Sequence, residues 1–117
     1  MKVISEEPLI VLLQDISHQF DFPAIGKITG FAKDLIVEKF NRNDVIVLYA
    51  LDDVIVLRSE IDVKINEKIQ ELKQEYSQYL VDGGGHAKAA SIRFLSIGKD
   101  VILKEVLRWF KNENKGE

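Results

Sequence analysis

The residues best suited to chemistry lie in one stretch, Val81–Phe94, which reads VDGGGHAKAASIRF. The consecutive glycines Gly83, Gly84 and Gly85 leave backbone N–H groups uncovered, and such a run can cradle an anion. His86 follows at once, with a ring that donates hydrogen bonds and carries charge according to its surroundings. From Gly83 to Lys99 the chain contains Lys88, Arg93 and Lys99 and no acidic residue. A cationic window therefore surrounds the glycines of a chain whose formal net charge is -3. The competing reading is a helix-to-strand connection with an incidental histidine, and spacing alone does not separate the two.

Other chemistries are excluded by what the sequence lacks. There is no cysteine, so disulfides, thiol catalysis and cysteine zinc sites are ruled out. The two histidines, His18 and His86, have no HExxH-type spacing, and no metal site is expected. Asp15 and His18 stand three apart and read as structural. Neither GxxxxGK[ST] nor GxGxxG occurs, which gives no support to a nucleoside triphosphatase or a dinucleotide fold. A pI near 5.4 is not that of a general electrostatic nucleic-acid binder, so such a role has to rest on the local patch. The apolar run Leu9 to Leu13 is too short to span a membrane. Acids precede it where a secretory signal would carry positive charge, so a cytoplasmic location is expected.

The elements that must position the glycine run follow from periodicity. A length of 117 residues, 46% apolar and 30% charged, suits one soluble domain over 1–117 with a frayed tail at 112–117. PLIVLLQDI (Pro8 to Ile16) reads as a mostly buried strand. FPAIGKITGFAKDLIVEKF carries Ile25, Ile28, Ala32, Leu35, Ile36 and Phe40 at helical spacing, with Gly26 and Gly30 sharing a face. Two β-rich runs flank Asp52-Asp53 and predict a hairpin. Asp62 is placed to cap a helix whose apolar stripe is Ile65, Ile69, Leu72, Tyr76 and Tyr79. After the glycine run come a strand, ASIRFLSI, and a closing helix with Val101, Ile102, Val106, Leu107 and Phe110 inward. The order β-α-β-β-α-loop-β-α predicts an α/β domain, a mixed sheet of four or five strands flanked by about three helices.

GGGHAKAA resembles the GGGHxxAA signature of the DHH-associated domain, the C-terminal domain of the DHH phosphoesterase superfamily, which includes RecJ-like exonucleases. The helix with Gly26, Gly30 and Phe31-Ala32 is similar to that domain's early GxxGxxA helix, though its two glycines stand four apart. Arg58-Ser59, ending the second hairpin strand, resembles the family's RS pair. The resemblance implies that Gly83, Gly84, Gly85 and His86 contact the phosphates or sugar of a nucleic-acid strand, with Arg58, Ser59 and Lys88 beside them. One position departs from the pattern: Ser91 stands where the family has glycine, and its hydroxyl is itself able to bond a phosphate.

In that superfamily, hydrolysis belongs to a separate DHH domain whose aspartates and histidines hold two metal ions. This sequence has no DHH motif, so the resemblance implies no catalytic residue, no metal and no cofactor here. Two roles follow. One is a non-catalytic single-stranded DNA- or RNA-binding or scaffold subunit, as in archaeal RecJ-like proteins that accompany the replication proteins GINS and MCM. The other is the substrate-binding subunit of a split DHH-family exonuclease or oligonucleotide phosphodiesterase. The domain's occurrence in alanyl-tRNA synthetases makes RNA binding a third use. No membrane partner is expected.

Overall fold

The computed structural model describes residues 2–14 and 22–115; Asp15 and His18 lie outside them. In chain order the elements are β1 (Lys2–Glu6), β2 (Leu9–Leu13), α1 (Phe22–Phe40), β3 (Val45–Ala50), β4 (Val54–Ser59), α2 (Ile65–Glu75), β5 (Asp82–His86), β6 (Ala89–Arg93) and α3 (Lys99–Lys115). Short 3-10 turns at Ser77–Tyr79 and Ser96–Gly98 join α2 to β5 and β6 to α3.

The strands form one mixed sheet in the order β1-β2-β3-β4-β6-β5. Among the described strands only β2 and β3 pair in parallel, with α1 as the crossover between them. The α/β architecture with three helices is as the sequence predicts. The sheet, however, has six strands rather than four or five. The two additional strands are its edges. β1, KVISE, is a half-polar strand, and β5 is DGGGH, the glycine run itself. Glycine is depleted in strands, so periodicity reads that run as a loop. It is a strand because β6 templates it residue by residue, from Asp82↔Arg93 to His86↔Ala89.

Strand alternation divides the core in two. On one face Ile10, Leu12, Ile46, Leu48, Ile55, Leu57 and Ile92 pack beneath α2 and α3, which contribute Ile65, Ile69, Leu72, Ile102, Val106 and Phe110. On the other, Leu9, Val11, Val45, Val47, Tyr49, Val54 and Val56 receive Ile25 and Ile36 from α1. Fully burying one such side chain is worth roughly 1.5–3 kcal/mol. α1 packs on β3 and β4. Its inward side includes Ile25, Gly26, Thr29 and Ile36, whereas Leu35 and Phe40, predicted to face inward, are 51% and 56% exposed. Val101 at the start of α3 is likewise turned outward.

The Asp52-Asp53 hairpin is present, closed by the Leu51 N–H donating to the Val54 carbonyl at 2.8 Å. The Asp62 carboxylate accepts from the Lys64 N–H at 3.0 Å, just ahead of α2, where Lys64 adopts a left-handed φ of 50°.

Candidate functional site

Arg58 lies near the end of β4, opposite Ala89 of β6, and Val56 lies opposite Ser91. Ser91 in turn pairs with Gly84 of β5. Residues directly opposed in antiparallel strands share a face, so Val56, Arg58, Ala89, Ser91 and Gly84 stand together beside α1. Because α1 covers β3 and β4, the shelf formed by β6 and β5 is left beyond its edge. Gly26 closes the space from the helix side. The result is a cleft of about 230 Å³ lined by Gly26, Val56, Arg58, Gly84, Ala89, Ala90 and Ser91.

The three motifs singled out in the sequence thus meet in one place, although they come from α1, β4 and the β5–β6 hairpin. The walls are small: two glycines, two alanines and a serine. That lining lets a ligand's backbone approach the sheet closely. The main charge is Arg58. Its Nη1 donates to the Leu57 carbonyl at 2.8 Å, and burial pulls the guanidinium below its ordinary value while leaving it charged. Among the described residues no carboxylate pairs with it. Glu60, the nearest acid along the chain, accepts from Lys33 of α1 at 2.6 Å.

The remaining expected residues are distributed differently. Gly83 and Gly85 do not line the cleft; they hold β5 against β6. A Cβ on Gly83, whose φ is +155°, would lie 2.3 Å from the Ser91 carbonyl oxygen. One on Gly85 would lie 2.2 Å from that of Ala89. Ser59 is buried, and its hydroxyl donates to the Ile61 carbonyl at 2.7 Å while accepting from the Ile61 N–H. His86 and Lys88 are exposed at the turn between β5 and β6. That turn is fixed by Ser59 N–H to Lys88 O at 2.8 Å and Val63 N–H to Ala87 O at 3.1 Å. His86 lines a separate hollow of about 360 Å³ with Asp62, Lys64, Ile65, Asn66, Glu67 and Ala87.

Sequence reasoning missed the wall Val56, which carries no chemical signal, and Asn66; it met Ala89 and Ala90 only as the end of the GGGHAKAA motif. The Asn66 amide donates to the Gly85 carbonyl at 3.0 Å and ties α2 to the glycine strand. Its polarity in the first turn of α2 was the one sign of it. Among the described residues no group of three or more acids and histidines is arranged to hold a metal. No helix there is long and apolar enough to cross a membrane.

The fold with this cleft is related to that of a DHH-domain protein. It is similar to a solved structure described as a member of the s1p family of ribosomal proteins, DHH domain, with a TM-score of 0.63 and 28% identity. The likeness covers 83% of this chain and 23% of that one. In sequence the chain is 31% identical over 107 residues to an uncharacterized protein of Methanocaldococcus jannaschii, covering 86% of this chain and 14% of the relative. The chain therefore spans only a small part of the length of both. No protein-family profile matches it.

Proposed function

We propose that the chain is a non-catalytic subunit that binds a single strand of nucleic acid, seating one phosphate in the Arg58–Ser91 cleft. The observation that carries this reading is the convergence on that cleft of a half-buried arginine, without a carboxylate partner among the described residues, and a shelf of small residues. A guanidinium offers a planar fork of donors matched to phosphate oxygens. The Ser91 hydroxyl adds a donor, and Gly84 removes the side chain that would keep a sugar–phosphate chain away. From the cleft the strand runs toward the exposed His86 and Lys88. The sequence signature of the DHH-associated domain and the structural likeness to a DHH-domain protein support this assignment.

The proposed setting is that of a cytoplasmic replication accessory factor or scaffold working with GINS and the MCM helicase, in an archaeal RecJ-like role. A labelled oligothymidylate or oligouridylate should bind the full chain, and Arg58→Ala should weaken binding about ten-fold or more, the loss expected for a charge-assisted contact. Added manganese should produce no cleavage of either strand, and pull-down from native extract should recover replication proteins. Arg58→Ala binding as tightly as the unaltered protein would sink the cleft assignment.

A second reading is favoured by one observation: the matched proteins are several times longer, and one is described as a DHH domain. On that reading the chain is the substrate-binding part of a split exonuclease or oligonucleotide phosphodiesterase. It requires that adding this chain to a separate DHH-domain polypeptide increase manganese-dependent cleavage.

A further inference from the structure

The α1 glycines carry a role that the nucleic-acid reading does not by itself assign. A Cβ built on Gly26 would stand 3.0 Å from Arg58 Nη2, with no other atom of the described residues beyond the local helix within 4 Å. A Cβ on Gly30 would stand 3.8 Å from Arg58 Nε and 4.0 Å from its Cγ, which is ordinary contact. The arginine side chain therefore lies along the bare edge of α1, its stem beside Gly30 and its guanidinium beside Gly26. Gly26 also lines the cleft.

We infer that Gly26 is a positioning residue for Arg58. The missing side chain at this helical position leaves room for the guanidinium to lie against α1 and present its donors to the anion in the cleft. This rests on the reading of the cleft as a phosphate site and adds to it a determinant on a different element. The two glycines, four apart on one face, are not equivalent. A methyl group at Gly30 fits beside the arginine stem, whereas one at Gly26 meets the end of the guanidinium and displaces it by a few tenths of an ångström or more.

The inference sets binding against stability. Glycine inside a helix is unfavourable relative to alanine, so Gly26→Ala and Gly30→Ala should both leave the melting temperature unchanged or raised. Only Gly26→Ala should weaken binding of a labelled oligothymidylate of about ten nucleotides, by roughly five-fold, part of the loss of a charge-assisted contact. In an Arg58→Lys background, where the shorter head no longer reaches Gly26, the same change should cost nothing further.

Equal losses from Gly26→Ala in the two backgrounds, or equal losses from the Gly26 and Gly30 variants, would overturn the inference. The Arg58 Nε–Hε resonance supplies a readout that needs no ligand. It should shift in Gly26→Ala and stay in place in Gly30→Ala, and the reverse pattern overturns the assignment. If Arg58→Ala leaves binding intact while the resonance behaves as expected, the phosphate reading fails and the positioning of Arg58 by Gly26 stands.

Discussion

Gly83, Gly84 and Gly85 look alike in sequence and differ entirely in surroundings. Gly83 combines a φ of +155° with a carbonyl oxygen where its side chain would go, and Gly85 meets the backbone of Ala89 and Ala90. Gly84 faces open space, its nearest neighbour being Asn66 Oδ1 at 4.0 Å. Alanine at Gly83 or Gly85 has to push β5 off β6 and should cost about 1–3 kcal/mol, from steric overlap at both and backbone strain at Gly83. Alanine at Gly84 should leave the urea midpoint nearly unchanged and weaken strand binding, because it narrows the cleft. Chemical denaturation of the three variants beside oligonucleotide titration checks this division of labour. The sequence marks the run as unusual but not which glycine serves the ligand, since that depends on the neighbouring strand. Ser59 teaches the same lesson: read as a ligand contact, its hydroxyl is spent on the Ile61 backbone.

At the scale of elements, legibility followed burial. β2, β3, β4, α2 and α3 bury regular apolar patterns and were readable from periodicity, whereas β1 and β5, the sheet edges, have little apolar pattern to read. The connection from α1 to β3 is held by charge. Beyond α1, Arg42 donates Nε and Nη2 to the Asp44 carboxylate at 2.8 and 2.6 Å, and Nη2 also reaches the carbonyl of Glu6 at the end of β1. Hydrogen bonding from Arg42 holds the Asp44 carboxyl below its ordinary range. On β5 the Asp82 carboxyl is lowered first by the Gly83 N–H and then by Lys73. A carboxyl whose folded pKa is depressed stabilises the fold fully above its unfolded value, near 4, and loses that contribution as pH falls through the folded value. Stability should therefore be level from neutral pH down to about 4 and decline below it. Arg42→Ala should flatten the acid decline, because Asp44 then loses the largest of the interactions that lower it and keeps only its backbone donors. A set of denaturation midpoints across acid pH tests this, and an acid limb unchanged by the substitution would show that the pair contributes nothing.

Across the whole molecule, what sequence could not supply was the meeting of distant segments. Gly26, Arg58 and Ser91 are separated by 32 and 33 positions, and only the packing of α1 on β4 and the pairing of β4 with β6 bring them to one cleft. The motifs singled out in the sequence lie on segments that line the cleft, but their spacing does not give its geometry. Net charge sets the scale of what such a cleft can do. A chain of charge -3 repels polyanions at long range, so binding has to come from the few cations at this end of the sheet, Arg58 and Lys88. For single strands each neutralised phosphate contributes a slope of about -0.7 to log affinity against log salt, so two or so contacts predict a slope near -1.4. His86→Ala combined with Lys88→Ala alters only exposed side chains at a turn fixed through its backbone, so the fold should be unaffected. Binding should weaken, and the slope should flatten by about 0.7 as the Lys88 contact is lost and that of Arg58 remains. Unchanged affinity and slope would confine the strand to the Arg58–Ser91 cleft. A wild-type slope several times steeper would instead require a basic surface beyond this end of the sheet, and the exposed Lys104, Arg108 and Lys111 of α3 would be the next residues to replace.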